Sequence, residues 1–377
     1  MSFDLREYMA ELTKLCAIDS GQMNREGSTA MAAYFEARYR ALGLRTEIRY
    51  YDDNDFAPFL LAGNALEGPI DVMFVAHMDT VFPVGDGAAR PLTVDENNIA
   101  KGPGCIDCKG GCLLIYELVR KLLKDGTDLR FVVAMNSDEE RGSRYSRPYF
   151  EELAGRSKAC LVFEPGRAND EFVSERKGGA NFLIRCHGIA AHSGVDPQNG
   201  ASAILELAKW LPELYALTDY EGGTTLNVGR IQGGGNNGQV PDYCECTVSF
   251  RSLKSDALDQ LNALFEKMKA QPFDEHTHIE VEQVSLRPAM RIHPGTEMLI
   301  KELEAAGREE KLPVEHIVTG GGSDGNFVAC LGPAVLDGCG PCGAKLHTTD
   351  EYLKLHSVEE RFRLMLRLLE RIAKWPK

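Results

Sequence analysis

Three short, almost unbroken apolar runs constrain this chain more than any other feature: Ile70–Ala76, Leu129–Asn136 and Ala159–Phe163. A strand with one wet face alternates apolar and polar residues. A strand apolar throughout has both faces covered, which is how parallel sheets sit between helices. Helical spacing fills the intervals. Leu5, Met9, Leu12 and Leu15 form one stripe, Met31, Phe35 and Tyr39 a second that stops at Gly43, and Leu114, Leu118 and Leu122 a third. Extended segments at Arg45–Tyr51 and Phe59–Ala62 add to the sheet. Buried strands alternating with helices predict an α/β class.

The pattern changes after Phe172. Strands are expected at Ala180–Cys186, Thr224–Ile231, Cys244–Arg251 and His278–Val284, with helices at Ala201–Leu217 and Asp256–Met268. Four strands and two helices suit a small sheet with helices on one face. The α/β pattern then resumes with a helix at Glu297–Arg308, a strand at Ala334–Asp337 and an amphipathic helix at Val358–Lys374. At about 100–200 residues per domain, 377 residues hold two domains or one core with an insertion. The reading is a core domain of residues 1–172 and 286–377, interrupted by an inserted domain of residues 173–285.

Composition excludes several classes. The chain is 44% hydrophobic and 26% charged, an ordinary globular balance. Its net charge of −14, with no basic stripe, leaves no footprint for nucleic acid. No apolar stretch approaches the ~20 residues that span a bilayer, so no membrane partner is expected. The first residues lack the basic-then-apolar layout of a signal peptide. Eleven cysteines, an odd number, then read as free thiols in a reducing cytoplasm.

The chemistry gathers where the apolar runs end. The first runs into His77 and Asp79, the second into Asp138, Glu139 and Glu140, and the third into Glu164. Ligands of open α/β sheets bind at the carboxyl ends of the strands. A glycine-rich segment at 102–111 adds Asp107, and another at 340–350 adds His347. These carboxylates cannot all ionise side by side without a cation. Bound divalent metal resolves the conflict: mixed imidazole and carboxylate ligation suits Zn²⁺, and Mn²⁺ or Co²⁺ also fit. Two histidines and three carboxylates hold two ions if one carboxylate bridges, with the pair roughly 3.5–4 Å apart around a water. Asp79, two residues beyond His77, suits fixing the imidazole tautomer. Either Glu139 or Glu140 could serve as general base.

The segments VAHMDTV (75–81), GPGCIDCKGG (102–111), NSDEERGS (136–143), VFEPG (162–166), AAHSG (190–194), GGGSDGNF (320–327) and KLHTTDEY (345–352) occur in that order. Together they resemble the co-catalytic zinc metallopeptidases that include glutamate carboxypeptidase, aminoacylase and succinyl-diaminopimelate desuccinylase. The segments TDEY, RPAM (287–290) and GGGSDGNF lean toward the glutamate carboxypeptidase branch. The resemblance implies a phosphorylase/hydrolase-like catalytic α/β domain with an inserted α+β ferredoxin-like lid or dimerisation domain, and hence a homodimer. It implies that Asp107 bridges two divalent metal ions, that His77 and Glu164 complete one site, and that Glu140 and His347 complete the other. Glu139 would be the general base, and Asp79 would orient His77. A cis peptide is implied at Asp107–Cys108. His192 would polarise the scissile carbonyl. Asn227 and Arg251 would contact substrate, Arg251 with Gly321 and Gly322 holding a free α-carboxylate. Thiols at Cys105, Cys108, Cys339 and Cys342 depart from the usual pattern without removing a ligand.

The implied activity is metal-dependent hydrolysis of an amide bond, releasing a C-terminal amino acid from a small peptide or N-acyl amino acid. Alternatives are an N-acyl amino acid deacylase or a non-catalytic amino-acid or peptide binder on the same scaffold. Two further readings compete. Cys339-Gly-Pro-Cys342 has thioredoxin-type spacing, but a reactive pair should open a helix. Gly321, Ser323 and Gly325 match G-x-S-x-G, which needs a strand, a sharp turn and a helix.

Overall fold

The computed structural model describes residues 3–21, 23–51 and 57–376. The chain divides into two compact units. One comprises the residues up to Glu175, Met290–Thr319 and those from Ser323 onward; the other comprises Arg176–Ala289 and Gly320–Gly322. The mixed α/β class with an inserted α+β unit is borne out.

The first unit is built on a six-stranded sheet. Its strands in spatial order are Arg45–Arg49, Phe59–Gly63, Phe131–Asn136, Ile70–His77, Ser157–Val162 and Ala334–Leu336. The first two pairings are antiparallel and the remaining three parallel. The central strand shows why its sequence is apolar throughout. Val72, Phe74 and Ala76 point into one core with Leu118, Phe35 and Leu368, while Met73 and Val75 point into another with Phe150, Leu153 and Val328. Full burial of each large side chain contributes about 1.5–3 kcal/mol. Helices Leu5–Cys16, Arg25–Ala41, Lys109–Asp125 and Leu355–Ile372 contribute to the first core, and Arg147–Ala154 to the second.

Local signals set the helix ends. Asn24 caps Arg25–Ala41 by accepting the Gly27 N–H. Gly126, at φ 75°, ends Lys109–Asp125 in the left-handed conformation that glycine adopts without strain. A small second sheet joins Gly343–Ala344, Tyr352–Lys354, Ile99–Lys101 and Thr93–Val94. Strands of two or three residues leave no periodicity in sequence, and this sheet was not anticipated.

The inserted unit is a four-stranded antiparallel sheet in the order Thr225–Gly233, Tyr243–Ser252, Gly178–His187 and His278–Arg287. With helices Ala203–Tyr215 and Ala257–Ala270 between strands, it follows the βαββαβ ferredoxin-like order. Ala180, Phe182, Ile184 and Cys186 face a core with Trp210, Leu261 and Phe265. Alternate residues Asn181, Leu183, Arg185 and His187 keep solvent access. No helix among the described residues is long and apolar enough to cross a membrane.

Candidate metal centre

Parallel register places the chemistry. Strand Ile70–His77 lies between Phe131–Asn136 and Ser157–Val162, with His77 paired to Asn136 and Val75 to Val162. The residues just past all three strands therefore emerge at one edge. His77 is buried there, its Nε2 lying 3.1 Å from Asp107 Oδ1 and 3.6 Å from Glu164 Oε1. On the other side of the ring, Nδ1 is 3.0 Å from the Asp79 carbonyl and 3.3 Å from Asp79 Oδ1. His347 Nε2 lies 3.3 Å from Asp107 Oδ2 and 3.1 Å from Glu140 Oε2. Each oxygen of Asp107 thus faces a different imidazole.

Asp79 does more than orient a ring. Its carboxylate also accepts the backbone N–H groups of Glu139, at 3.3 Å, and Glu140, at 3.0 Å. It therefore holds the Glu139–Arg141 turn against the strand that carries His77. Asp138, left without a role by sequence reasoning, accepts N–H groups from Tyr145 and Ser146 and shapes the same turn. The Asp107–Cys108 peptide is cis. His347 has φ 62°, a left-handed conformation uncommon outside glycine.

Sequence reasoning missed Glu351. Its buried carboxylate accepts the N–H groups of Ile106 (3.0 Å) and Asp107 (3.1 Å) at Oε1 and of Gly104 (3.2 Å) at Oε2. It fastens the loop carrying Asp107 to the segment carrying His347. Burial, reinforced by the Asp107 charge, pushes its pKa up to about 7 against the pull of those N–H groups. No local pattern distinguishes such a glutamate from a solvated one.

Shared protons balance the charge at this edge. Burial would raise Asp107, but hydrogen bonds to His347 and His77 hold it well below the usual carboxylate range. Burial pushes Glu140 up to about 7 against its bond with His347. Hydrogen bonds to Asp107 and Glu140 raise His347 to about 10, against its desolvation. Burial opposes charging of His77, yet Asp107, Asp79 and Glu164 lift it well above an ordinary histidine. Protons on the imidazoles balance the acids. Divalent ions would do the same while releasing those protons.

The donor set fits such ions. Ligand atoms of His77, Asp107 and Glu140 lie within 4.8 Å of one another, as do those of His77, Glu139 and Glu164. Imidazole nitrogen with carboxylate oxygen is the ligand chemistry of Zn²⁺ and its neighbours.

The other anticipated residues belong to the inserted unit. His192 Nδ1 accepts N–H groups from Gly194 (3.1 Å) and Val195 (3.2 Å), which puts the proton of the neutral ring on Nε2. Arg251 donates from Nη1 to the Gly320 carbonyl at 2.7 Å, beside Gly321 and Gly322, whose carbonyls accept from buried Arg176. Asn227 is exposed on the edge strand Thr225–Gly233.

The rival sites do not form. All eleven cysteines are free thiols. Cys339 and Cys342 lie between strands rather than at a helix start; Cys339 bonds the Leu336 carbonyl and Cys342 accepts from Arg361. Ser323 does follow a strand, His316–Thr319, and precedes the helix Gly325–Ala329. Its hydroxyl, however, is fully buried and donates to Asp337, where no nucleophile could meet a substrate.

Comparison with known proteins agrees with this geometry. The profile of peptidase family M20/M25/M40 matches residues 73–371, and the chain belongs to that family. It is a hydrolytic enzyme acting on amide bonds. It is 28% identical over 374 residues to carboxypeptidase G2 of Pseudomonas sp. (strain RS-16), covering 95% of this chain and 87% of the relative. It is 26% identical over 365 residues to the acetylornithine deacetylase of Shigella sonnei (strain Ss046), covering 92% and 91%. The crystal structure of aminopeptidase PepT from Bacillus cereus ATCC 10987 superposes with a TM-score of 0.78 at 21% identity, over 98% of this chain and 99% of that one.

Proposed function

We propose that this enzyme is a di-metal carboxypeptidase-like amidohydrolase, releasing a C-terminal amino acid from a small peptide or an N-acyl amino acid. One observation carries the reading: Asp107 presents its two oxygens to two different imidazoles, 3.1 and 3.3 Å away, with Glu140 beside one ring and Glu164 beside the other. In this assignment Asp107 would be shared by two ions, His77 and Glu164 would help hold one, and Glu140 and His347 would help hold the other. When bound, two divalent ions, Zn²⁺ foremost with Mn²⁺ or Co²⁺ as substitutes, lower the pKa of water from about 15.7 to near 7 and polarise a carbonyl.

The remaining work falls to side chains. Glu139, held by Asp79 through its backbone, takes the proton from the attacking water and passes it to the leaving amine. His192 is the assigned donor to the developing oxyanion, a role its Nε2–H tautomer suits. Arg251, with Asn227, Gly321 and Gly322, is assigned to the substrate; a guanidinium fork matches a planar carboxylate. A homodimer formed through the inserted unit belongs to the same reading. Deacylation of N-acyl amino acids is the second reading, supported by the likeness to an acetylornithine deacetylase.

The test is a panel of dipeptides, N-acyl amino acids and C-terminal glutamate conjugates, assayed for amine release with Zn²⁺, Mn²⁺ or Co²⁺. Metal-dependent release of the C-terminal residue is expected. Turnover confined to N-acetylated amines would favour the second reading. Full activity in stringently metal-free protein would overturn both.

A further inference from the structure

The open face of the inserted sheet carries a cluster that the proposed reaction does not use. His187 ends the strand Gly178–His187, and His278 begins the antiparallel strand His278–Arg287; the two are direct cross-strand partners. Their rings stack at 28° with centroids 6.3 Å apart. Glu280, two residues beyond His278, projects from the same face. Its Oε1 lies 3.8 Å from His278 Nε2 and its Oε2 3.9 Å from His187 Nε2. One carboxylate is therefore bracketed by two imidazoles.

These separations are too long for hydrogen bonds. His187 Nε2 is moreover shielded from solvent and has no hydrogen-bond partner. A buried ring nitrogen left unmatched is costly. Its nearest acidic oxygen stands off at a distance that a small cation would fill. With metal–nitrogen and metal–oxygen bonds near 2.1 Å, tetrahedral ligands lie about 3.4 Å apart, so each imidazole–carboxylate pair need close by only about half an ångström, while the two imidazoles, with ring centroids 6.3 Å apart, must swing closer by side-chain rotation. Glu280 is half exposed and can make that movement by torsion. The neighbours leave the site acidic: Arg185, opposite Glu280, spends its guanidinium on Glu282 at 2.9 Å, and Tyr243 bonds Glu245.

We propose that His187, His278 and Glu280 form a site for one divalent transition ion of the imidazole-preferring kind, Zn²⁺ or Cu²⁺. The ion clips together the first and last strands of the inserted unit, closing a long intervening chain segment. A clip of this kind stabilises the folded unit by mass action. The site is made by residues of the inserted unit alone and does not depend on the reaction assigned above.

The experiment uses the full-length protein already loaded with Zn²⁺ at its active centre. Equilibrium dialysis against Zn²⁺ with elemental analysis counts ions per chain, and Cu²⁺ titration followed by electron paramagnetic resonance reads ligand nitrogens. Wild type is expected to hold one more ion than His187→Gln/His278→Gln and to show a Cu²⁺ signal with two imidazole nitrogens that the variant lacks. Glu280→Gln should weaken the extra ion at least about tenfold, as lesser changes around metal ligands do. Amide hydrolysis should be equal in all of these proteins, which separates this site from the active centre. An ion count and Cu²⁺ spectrum unchanged in the double variant would overturn the proposal, leaving an imidazole pair that binds protons only.

Discussion

The two sheets of this enzyme solve opposite problems. The catalytic sheet is parallel at its centre and covered on both faces, so its polar chemistry can appear only beyond its strand ends. The inserted sheet is antiparallel and covered on one face, so its charged residues line the strands themselves in wet ladders. Acids at the covered sheet's edge are buried and force protons or cations to join them. Acids on the open sheet find water and cross-strand partners, as Glu282 finds Arg185. The same residue types therefore carry different meaning in the two units.

Removing the shared acid should break this contrast most severely. Asp107→Asn is expected to abolish activity and release metal, read by elemental analysis after dialysis, because both imidazoles lose their common partner. Next is Glu139→Gln, expected to keep its metal while turnover falls about 10²–10⁴-fold, the usual range for a general base. If that variant keeps wild-type turnover, Glu139 is not the base. Asp79→Asn should cost less, about 10–100-fold in metal affinity, as loss of a ligand-orienting group does. A parallel loss in kcat would show that its grip on the Glu139–Arg141 turn also matters.

Proton competition sharpens the comparison further. In metal-free protein at pH 6 His347, raised to about 10, and Glu140, raised to about 7, both hold protons that a divalent ion must displace. Apparent Zn²⁺ affinity should rise from pH 6 to 8 by about tenfold per pH unit for each proton released. Calorimetry in buffers of different ionisation enthalpy counts those protons; a pH-independent affinity would contradict this charge balance. Stability of the metal-free fold runs the opposite way with pH. The contribution of Glu140 is fully present below its unfolded value of 4.5 and is lost as pH climbs through about 7.

The smallest effect concerns the separate cores. Leu261→Ala, in the core of the inserted unit, should cost about 2–5 kcal/mol of local stability. Hydrogen exchange should quicken in strands Gly178–His187 and Tyr243–Ser252 while the strand ending at His77 stays protected. Equal loss of protection in both units would mean that they unfold as one.

Much of the candidate site was legible because it sits at the ends of strands with a strong apolar signature. His77, Glu139, Glu140 and Glu164 each follow such a run, and Asp107 and His347 lie in glycine-rich segments. Glu351 and Asp138 were not legible as structural acids, because their partners are backbone N–H groups that carry no residue identity. The pairing of His187 with His278 was equally hidden, since ninety-one positions separate two residues that only strand register makes neighbours.

Apolar periodicity by itself determined that a covered sheet would be interrupted by a half-covered one, because burial of side chains is a local property repeated along each strand. It also determined that too many acids would meet at one edge to remain uncompensated. Only the tertiary structure decided which oxygen faces which nitrogen, which acids serve the fold instead of the reaction, and which imidazole is left unmatched. Those outcomes depend on register and loop closure between segments far apart in the chain, and no stretch of sequence encodes a distance.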